Sequence, residues 1–181
     1  QFALKIQFMK FNTKVIHGGQ HHDPSTGAVM PPVYQTSTFV QTSPGQPLNP
    51  DYEYSRAANP TRSALENALA SIENGTRGLA FSSGLAATDC ILRSFKAGDE
   101  IIAMDDLYGG TYRMFTRIYI DSGIKFHFVD MNDIEKFKSL INQNTKLVWV
   151  ETPTNPLMKL ADIQEIAKIT KANKILYIYS N

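Results

Sequence analysis

Apolar and polar positions alternate in a regular order after Gly78, and this order predicts the architecture of most of the chain. Short apolar runs typical of buried strands are separated by amphipathic runs typical of helices. The predicted strands span residues 100–104, 124–129, 146–150 and 175–179, and the predicted helices span residues 85–96, 108–120, 133–142 and 162–172. This alternation indicates an α/β fold with a mostly parallel sheet and flanking helices. Residues 78–81 are predicted to end one further strand.

The region before this alternation is rich in proline and has no clear periodicity. Seven of the nine prolines precede residue 61. Proline lacks a backbone N–H and disfavours long helices and central strands, so residues 11–54 are predicted to be irregular. Because long structureless stretches are uncommon inside a compact subunit, we expect an extended N-terminal arm at residues 9–58 that lies over a neighbouring subunit.

Two local sequence features set the predicted boundaries of the domain and of the N-terminal segment. Asn59 followed by Pro60 predicts a helix start, and this helix is expected to run to about residue 74 and to be ended by Gly75. The predicted domain spans residues 59–181. Residues 1–8 precede a sequence that resembles a natural cytosolic start at Met9, and they are interpreted as foreign or read-through sequence.

Composition and charge narrow the possible partners. The net charge of +1 gives no reason to expect nucleic acid or an acidic membrane surface as a partner. A single cysteine excludes an intrachain disulfide framework and favours a cytoplasmic location. No stretch approaches the ~20 apolar residues of a membrane span. The pair His21 and His22 lacks further ligands at suitable spacing apart from Asp23, so no metal site is predicted.

Polar residues follow the predicted strands, where open α/β sheets bind ligands. Ser83 and Gly84 open a predicted helix, whose N-terminal N–H groups could hold a phosphate, although an ordinary helix cap has the same pattern. Tyr108 lies on a glycine-flanked turn, and Asn155 lies between two prolines. These loops predict a site for a flat, phosphorylated ring. Neither a Gly-x-Gly-x-x-Gly motif after a strand nor a nucleotide P-loop occurs.

A further pair precedes the first predicted helix of this domain. Tyr54 and Arg56 are two residues apart, so on an extended segment they point to the same side. Together they could grip a phosphate, with arginine giving a bidentate contact. A surface arginine beside a packed tyrosine is the structural alternative.

Four motifs in this order resemble the transsulfuration family of pyridoxal-phosphate (PLP) enzymes. The motifs are Tyr-Ser-Arg with Asn-Pro-Thr-Arg at residues 54–62, Ser-Ser-Gly-Leu-Ala-Ala-Thr at 82–88, Asp-Asp-Leu-Tyr-Gly-Gly-Thr at 105–111 and Val-Glu-Thr-Pro-Thr-Asn-Pro at 150–156. The likeness is greatest to cystathionine γ-lyase and cystathionine γ-synthase. It implies the fold type I of PLP-dependent transferases, an amino-acid substrate and a homotetramer in the full-length protein.

The resemblance implies roles for individual residues. Ser83, Gly84 and Leu85 resemble the loop that binds the cofactor phosphate, and Tyr54 and Arg56 resemble the pair that reaches this phosphate from the adjacent subunit. The remaining implied site residues are Tyr108, which stacks on the cofactor ring and assists proton transfer; Glu151, which supports the following loop; Asn155, near the ring hydroxyl and substrate carboxylate; and Glu53 and Arg113, which contact substrate.

The implied reaction is γ-elimination or γ-replacement on cystathionine or an activated homoserine. Methionine γ-lyases typically carry a cysteine at the position of Gly110, so this glycine favours the cystathionine enzymes. An O-acetylhomoserine sulfhydrylase, a methionine γ-lyase relative and a non-catalytic interaction module of the same fold remain alternatives.

Two departures from the family pattern concern catalysis. The family places an aspartate at the position of Ser180, followed by an asparagine that matches Asn181, and places its Schiff-base lysine further along the chain. A serine cannot supply the negative charge that keeps the pyridine nitrogen protonated. The sequence is therefore interpreted as an N-terminal fragment with an incomplete large domain, which is inactive by itself.

Overall fold

The structure is a computed structural model that describes residues 9–181. The interpretation of residues 1–8 as foreign or read-through sequence lies outside the described residues. The chain divides into two compact units, the first ending at Phe81 and the second spanning Ser82–Asn181. The predicted boundary between an arm and a domain at residue 59 stays a prediction.

The first unit contains short elements and long connections. Its elements are helix α1 at Phe11–His17, strands β1 at Gln41–Ser43 and β2 at Gln46–Pro47, and helix α2 at Pro60–Ile72. The prediction of an irregular segment missed α1, a helix of only seven residues without a side-chain cap at Lys10. The two strands pair in an antiparallel hairpin whose turn contains Gly45 with φ of 74°.

Helix α2 begins where the sequence predicts it. The Asn59 side chain accepts a hydrogen bond of 2.9 Å from the Thr61 N–H, and Pro60 occupies the first helical position, where no donor is needed. The predicted stop at Gly75 is wrong. The helix ends at Ile72, and Asn74 takes the left-handed conformation with φ of 53°. Asparagine tolerates this conformation because its short polar side chain can bond locally.

The second unit has the predicted α/β alternation. Its strands are β3 at Glu100–Met104, β4 at Lys125–Val129, β5 at Thr145–Glu151 and β6 at Leu176–Ser180. Its helices are α3 at Gly84–Leu92, α4 at Gly109–Met114, α5 at Ile134–Leu140 and α6 at Ile163–Ala172. A π-helical turn at Phe115–Tyr119 continues α4. All strand pairs are parallel, in the order β4-β3-β5-β6.

The two central strands form the core of this unit. Every residue of β3 is buried, and β5 is buried except at Lys146. Such continuous apolar runs are expected for parallel strands that are covered on both faces. The Phe115 ring stacks on Phe126 at a centroid distance of 4.7 Å and meets the Trp149 ring edge-on at 5.6 Å. This packing joins the π-helical turn to β4 and β5.

The predicted strand end at residues 78–81 is wrong. These residues pair with no strand among residues 9–181, and Leu79 and Phe81 are 62% and 43% exposed. The Ala80 N–H donates instead to the Glu66 side chain at 3.0 Å. An apolar run becomes a strand only where a neighbouring strand supplies the ladder of hydrogen bonds.

No helix among residues 9–181 is long and apolar enough to cross a membrane.

A buried carboxylate lies at the beginning of β3. Glu100 Oε2 accepts a hydrogen bond of 2.8 Å from the Asn142 amide and lies 2.8 Å from His127 Nε2, while Lys125 Nζ lies 3.7 Å from Oε1. The hydrogen bond from Asn142, followed by that from His127, holds the pKa of Glu100 below its ordinary value of 4.5. The carboxylate therefore stabilises the folded chain in its charged form.

We expect Glu100→Gln to lower the free energy of unfolding by about 1 kcal/mol at neutral pH, a modest effect because Lys125 and His127 are partly open to water. Since the folded-state pKa is lowered, the contribution of the carboxylate is present above the ordinary value of 4.5 and is lost as pH falls through the folded-state pKa. Denaturant unfolding of both proteins across this acidic range measures the effect. The exposed Glu135→Gln is the control and is expected to change little. A loss that is independent of pH would contradict the assignment.

Candidate functional site

The carboxyl ends of the strands in the second unit surround one cavity of about 790 Å³. The start of α3, the β3–α4 loop, the β5–α6 loop and the end of β6 form its wall. The lining residues are Ser83, Gly84, Leu85, Thr88, Tyr108, Thr111, Glu151, Pro153, Thr154, Asn155, Pro156, Met158, Ser180 and Asn181. Six residues that the sequence predicts for the cofactor therefore line the same cavity: Ser83, Gly84, Leu85, Tyr108, Glu151 and Asn155.

The start of α3 presents free donors to this cavity. Ser83 caps the helix, because its hydroxyl accepts from the Ala86 N–H at 3.1 Å and its carbonyl accepts from the Ala87 N–H at 3.2 Å. The N–H groups of Gly84 and Leu85 have no acceptor among the described residues. A Cβ added at Gly84 would meet no atom within 4 Å, so a ligand can approach the backbone closely.

Tyr108 precedes α4 and is half exposed at the cavity. Its ring lies against Gly110, where an added Cβ would collide with ring atom Cε1 and would come within 3.0 Å of Leu85 Cδ1. Gly110 is therefore what allows the aromatic ring to lie back on the first turn of α4. The second glycine of the Tyr-Gly-Gly sequence thus has a steric reason.

Glu151 connects two loops of the site. It is the last residue of β5 and is only 6% exposed. Its two carboxylate oxygens accept from the Tyr108 N–H at 3.0 and 3.1 Å, and Oε1 also accepts from the Asn155 N–H at 3.1 Å. The negative charge is thus stabilised by backbone donors, and it holds the tyrosine loop and the asparagine loop at the same strand end.

The β5–α6 loop is fixed by a second buried carboxylate. Asp106 accepts hydrogen bonds from the Thr154 hydroxyl and, at 2.8 Å, from the Leu157 N–H. The Thr154 oxygen in turn accepts from the Lys159 N–H at 2.8 Å. The peptide bonds before Pro153 and Pro156 are cis. Asp106 and Thr154 have no role in the sequence-based site, because the sequence alone does not show that the two loops meet.

Lys159 closes the same loop with its side chain. Its ammonium donates to Asp105 at 2.8 Å and to Asp130 at 3.1 Å. The two carboxylates, Asp105 first, raise the pKa of Lys159 above its ordinary value. This lysine does not line the cavity, and no lysine does so among residues 9–181.

The end of β6 supplies the remaining wall. Ser180 pairs in register with Glu151, and its carbonyl accepts from the Thr152 N–H at 3.1 Å. Ser180 and Asn181 both line the cavity. Ser180 therefore stands at the cavity, where the resemblance expects an aspartate, and a neutral hydroxyl takes the place of a negative charge.

Three predicted residues lie in the first unit and are described there alone. The Arg56 guanidinium lies 5.0 Å from the centroid of the Tyr54 ring, a cation–π geometry. The Glu53 carbonyl accepts from the Phe39 N–H at 3.1 Å. The Arg62 guanidinium donates to the carbonyls of this segment, including that of Ala57 at 2.6 Å. Their predicted contact with a neighbouring subunit stays a prediction.

The cavity and the sequence-based site do not contain the same residues. Arg113 is exposed on α4 and does not line the cavity. Thr88 and Thr111 line it without having been predicted, although their spacing was a usable signal: Thr88 lies one helical turn after Gly84, and Thr111 lies three residues after Tyr108. Residues 9–181 contain no group of three or more potential metal ligands of the His, Cys, Asp and Glu types.

The donor set fits a flat phosphorylated ring such as PLP. The free N–H groups of Gly84 and Leu85 suit a phosphate, and the open space at Gly84 leaves room for it. The Tyr108 ring offers an aromatic face, and the Asn155 amide offers donors and an acceptor on the opposite loop.

Comparison with known proteins gives the same result over nearly the whole chain. A model of the family described as Cys/Met metabolism PLP-dependent enzyme matches residues 12–181. A cystathionine beta-lyase of Lactococcus lactis subsp. cremoris is 50% identical over 169 residues, which are 93% of this chain and 44% of that protein. A cystathionine gamma-lyase of Bacillus subtilis is 46% identical over 173 residues, which are 96% of this chain and 45% of that protein.

Solved structures agree with these relatives. The crystal structure of cystathionine gamma-lyase from Lactobacillus plantarum complexed with L-serine superposes with a TM-score of 0.89 at 45% identity, covering 96% of this chain and 45% of that one. The structure of metB from Corynebacterium glutamicum superposes with a TM-score of 0.91 at 40% identity and the same coverage. This chain thus spans less than half the length of each of these two relatives and two solved structures.

The predicted fold is confirmed: a parallel sheet with flanking helices in the fold type I of PLP-dependent transferases. The predicted family and its cofactor, pyridoxal phosphate, are confirmed as well. The chain belongs to the family of Cys/Met metabolism PLP-dependent enzymes.

Proposed function

We propose that the chain provides the cofactor-phosphate side of a cytoplasmic transsulfuration enzyme that acts on cystathionine or an activated homoserine by γ-elimination or γ-replacement. The observation that carries the proposal is the convergence of Ser83, Gly84, Tyr108 and Asn155 on one cavity at the strand ends. Relatives named cystathionine gamma-lyase and probable cystathionine gamma-synthase support the choice of substrate.

The phosphate would be held by α3. The N–H groups of Gly84 and Leu85 and the hydroxyl of Ser83 would donate to its oxygens, and the positive end of the helix dipole would favour its charge. When bound, pyridoxal phosphate supplies an electron sink for negative charge that develops next to the substrate amino group.

The two loops held by Glu151 would orient the ring and the substrate. Tyr108 lines the cavity, so its ring would offer an aromatic face to the cofactor. Its hydroxyl would hold or move a proton at the substrate amine nitrogen. The Asn155 amide would donate to the ring oxygen of the cofactor and to the substrate carboxylate. Because Glu151 fixes the backbone of both residues, these contacts are arranged before the substrate arrives.

The first unit would serve a neighbouring subunit. Tyr54 and Arg56 would donate to the phosphate of that subunit, and Glu53 would lie beside its substrate, in a homotetramer of the full-length protein. Arg113 is the remaining candidate for substrate contact. Because it is exposed on α4 and does not line the cavity, it would contact only a part of the substrate that extends outside the cavity.

Gly110 favours the cystathionine enzymes over methionine γ-lyases. The Cβ of any other residue at this position would collide with the Tyr108 ring, so a cysteine there requires a different ring position. A relative named cystathionine gamma-synthase/O-acetylhomoserine (thiol)-lyase keeps sulfhydrylation open, and the beta-lyase relatives add cleavage on the other side of the cystathionine sulfur. A non-catalytic module that assembles with complete subunits is the alternative from a different class.

The phosphate site predicts the effect of Gly84→Val. A Cβ added at this position meets no protein atom within 4 Å, so we expect the fold to tolerate valine, whose side chain would enter the space of the phosphate. We expect the dissociation constant for pyridoxal phosphate, measured by equilibrium dialysis, to rise about tenfold or more through loss of charge-assisted hydrogen bonds. Binding of pyridoxal, which lacks the phosphate, is expected to change little.

Gly109→Val is the matched control. Gly109 also opens a helix and also has no atom within 4 Å of an added Cβ, but it does not line the cavity. Equal binding of pyridoxal phosphate to wild type and Gly84→Val would remove the proposed phosphate site.

We expect the 181-residue chain alone to be catalytically inert. Ser180 carries no charge, and no lysine lines the cavity among the residues described, so neither the ring-nitrogen partner nor the Schiff-base group is present there. The assay follows cystathionine consumption with added pyridoxal phosphate, against the cofactor without protein. Turnover above the rate of the free cofactor would refute this prediction.

A further inference from the structure

Asp106 is a buried charged group that the proposed mechanism does not use. It is the second residue after β3 and is 8% exposed. It lies two residues before Tyr108 but does not line the cavity. A buried carboxylate is costly unless it is hydrogen-bonded, so its partners indicate what it does.

Both hydrogen-bond partners of Asp106 belong to the β5–α6 loop. The Thr154 hydroxyl and the Leu157 N–H, at 2.8 Å, donate to the same oxygen, Oδ2. Thr154 and Leu157 flank Asn155 and Pro156. One oxygen atom therefore holds both ends of the short segment that carries the Asn155 side chain.

The Asp106 contacts complement those of Glu151. Glu151 lies at the end of β5 and accepts from the β3–α4 loop through the Tyr108 N–H. Asp106 lies in the β3–α4 loop and accepts from the β5–α6 loop. Each loop thus supplies a carboxylate or donors to the other, and Asn155 receives constraints from both, since its own N–H donates to Glu151 at 3.1 Å.

Neighbouring residues of this segment differ in their exposure to solvent. Thr154 is fully buried, whereas the next residue, Asn155, is exposed and lines the cavity. The Lys159 N–H adds a further bond of 2.8 Å to the Thr154 oxygen. The hydroxyl of Thr154 therefore donates to Asp106 and accepts from the Lys159 N–H, and it connects the two through hydrogen bonds.

We propose that Asp106 is a positioning residue that acts through Thr154 and Leu157 to direct Asn155 into the cofactor cavity. The binding part of this inference rests on the proposed function, because it assigns Asn155 a contact with the ligand. The structural part does not, since the hydrogen bonds exist without a ligand.

Amide hydrogen exchange of the free 181-residue chain tests the structural part. We expect Asp106→Asn to speed exchange at Leu157 and Lys159 about tenfold, because the charged acceptor of the loop is lost. Thr154→Val, which keeps the buried shape but removes the hydroxyl, is expected to speed exchange at Lys159 in the same way. Asp105→Asn is the matched control, because the Asp105 carboxylate accepts from the Lys159 side chain and not from the loop backbone, and Asp130 continues to hold that side chain. Exchange at Leu157 that stays within about twofold of wild type in Asp106→Asn would overturn the proposal.

A double-mutant cycle tests the binding part. Asn155→Ala and Asp106→Asn are each expected to raise the dissociation constant for pyridoxal phosphate several-fold, whereas Asp106→Asn is expected to add nothing further in the Asn155→Ala protein. Fully additive effects would overturn the claim that Asp106 acts through Asn155. If wild type does not bind pyridoxal phosphate at all, the proposed function fails instead, and the exchange measurement alone decides whether Asp106 fixes the loop.

Discussion

The Glu151 carboxylate is the interaction on which the shape of the cavity depends. It is buried at the end of a central strand, and its oxygens accept backbone hydrogen bonds from two separate loops. Hydrogen bonds to a charged group contribute about 1.5–3 kcal/mol each, and a buried carboxylate that lost them would carry its full desolvation cost. The buried carboxylate therefore holds the two loops together, and its own burial depends on the hydrogen bonds that both loops donate.

This arrangement also sets the electrostatics of the cavity. Glu151 is the one charged residue among the described residues that line it, and its oxygens are turned onto the Tyr108 and Asn155 N–H groups. The N–H groups at the start of α3 remain available for an anion. The site thus separates a structural negative charge, which is satisfied by backbone donors, from the donors that suit a phosphate. Asp106 is a second buried carboxylate that accepts a backbone hydrogen bond, and it does not line the cavity.

The second unit could be predicted from the sequence because local signals and tertiary context agree there. The apolar runs of β3 and β5 are long enough to be strands, and Ser83 acts as a helix cap as its residue type predicts. Residues 78–81 could not be predicted correctly, because an apolar run does not reveal whether a pairing strand is present. The hydrogen bonds of Asp106 to Thr154 and Leu157 join residues that are 48 and 51 positions apart in the sequence. A local sequence pattern does not predict such contacts.

Glu151 holds the tyrosine and asparagine loops as one unit, and amide exchange in the Glu151→Gln protein measures this coupling. The neutral side chain can no longer accept from both loops with a charged group, so exchange at the Tyr108 and Asn155 amides should quicken together, each by about tenfold. If the two amides keep their wild-type rates, or if only one of them changes, the carboxylate does not couple the loops and the account is wrong.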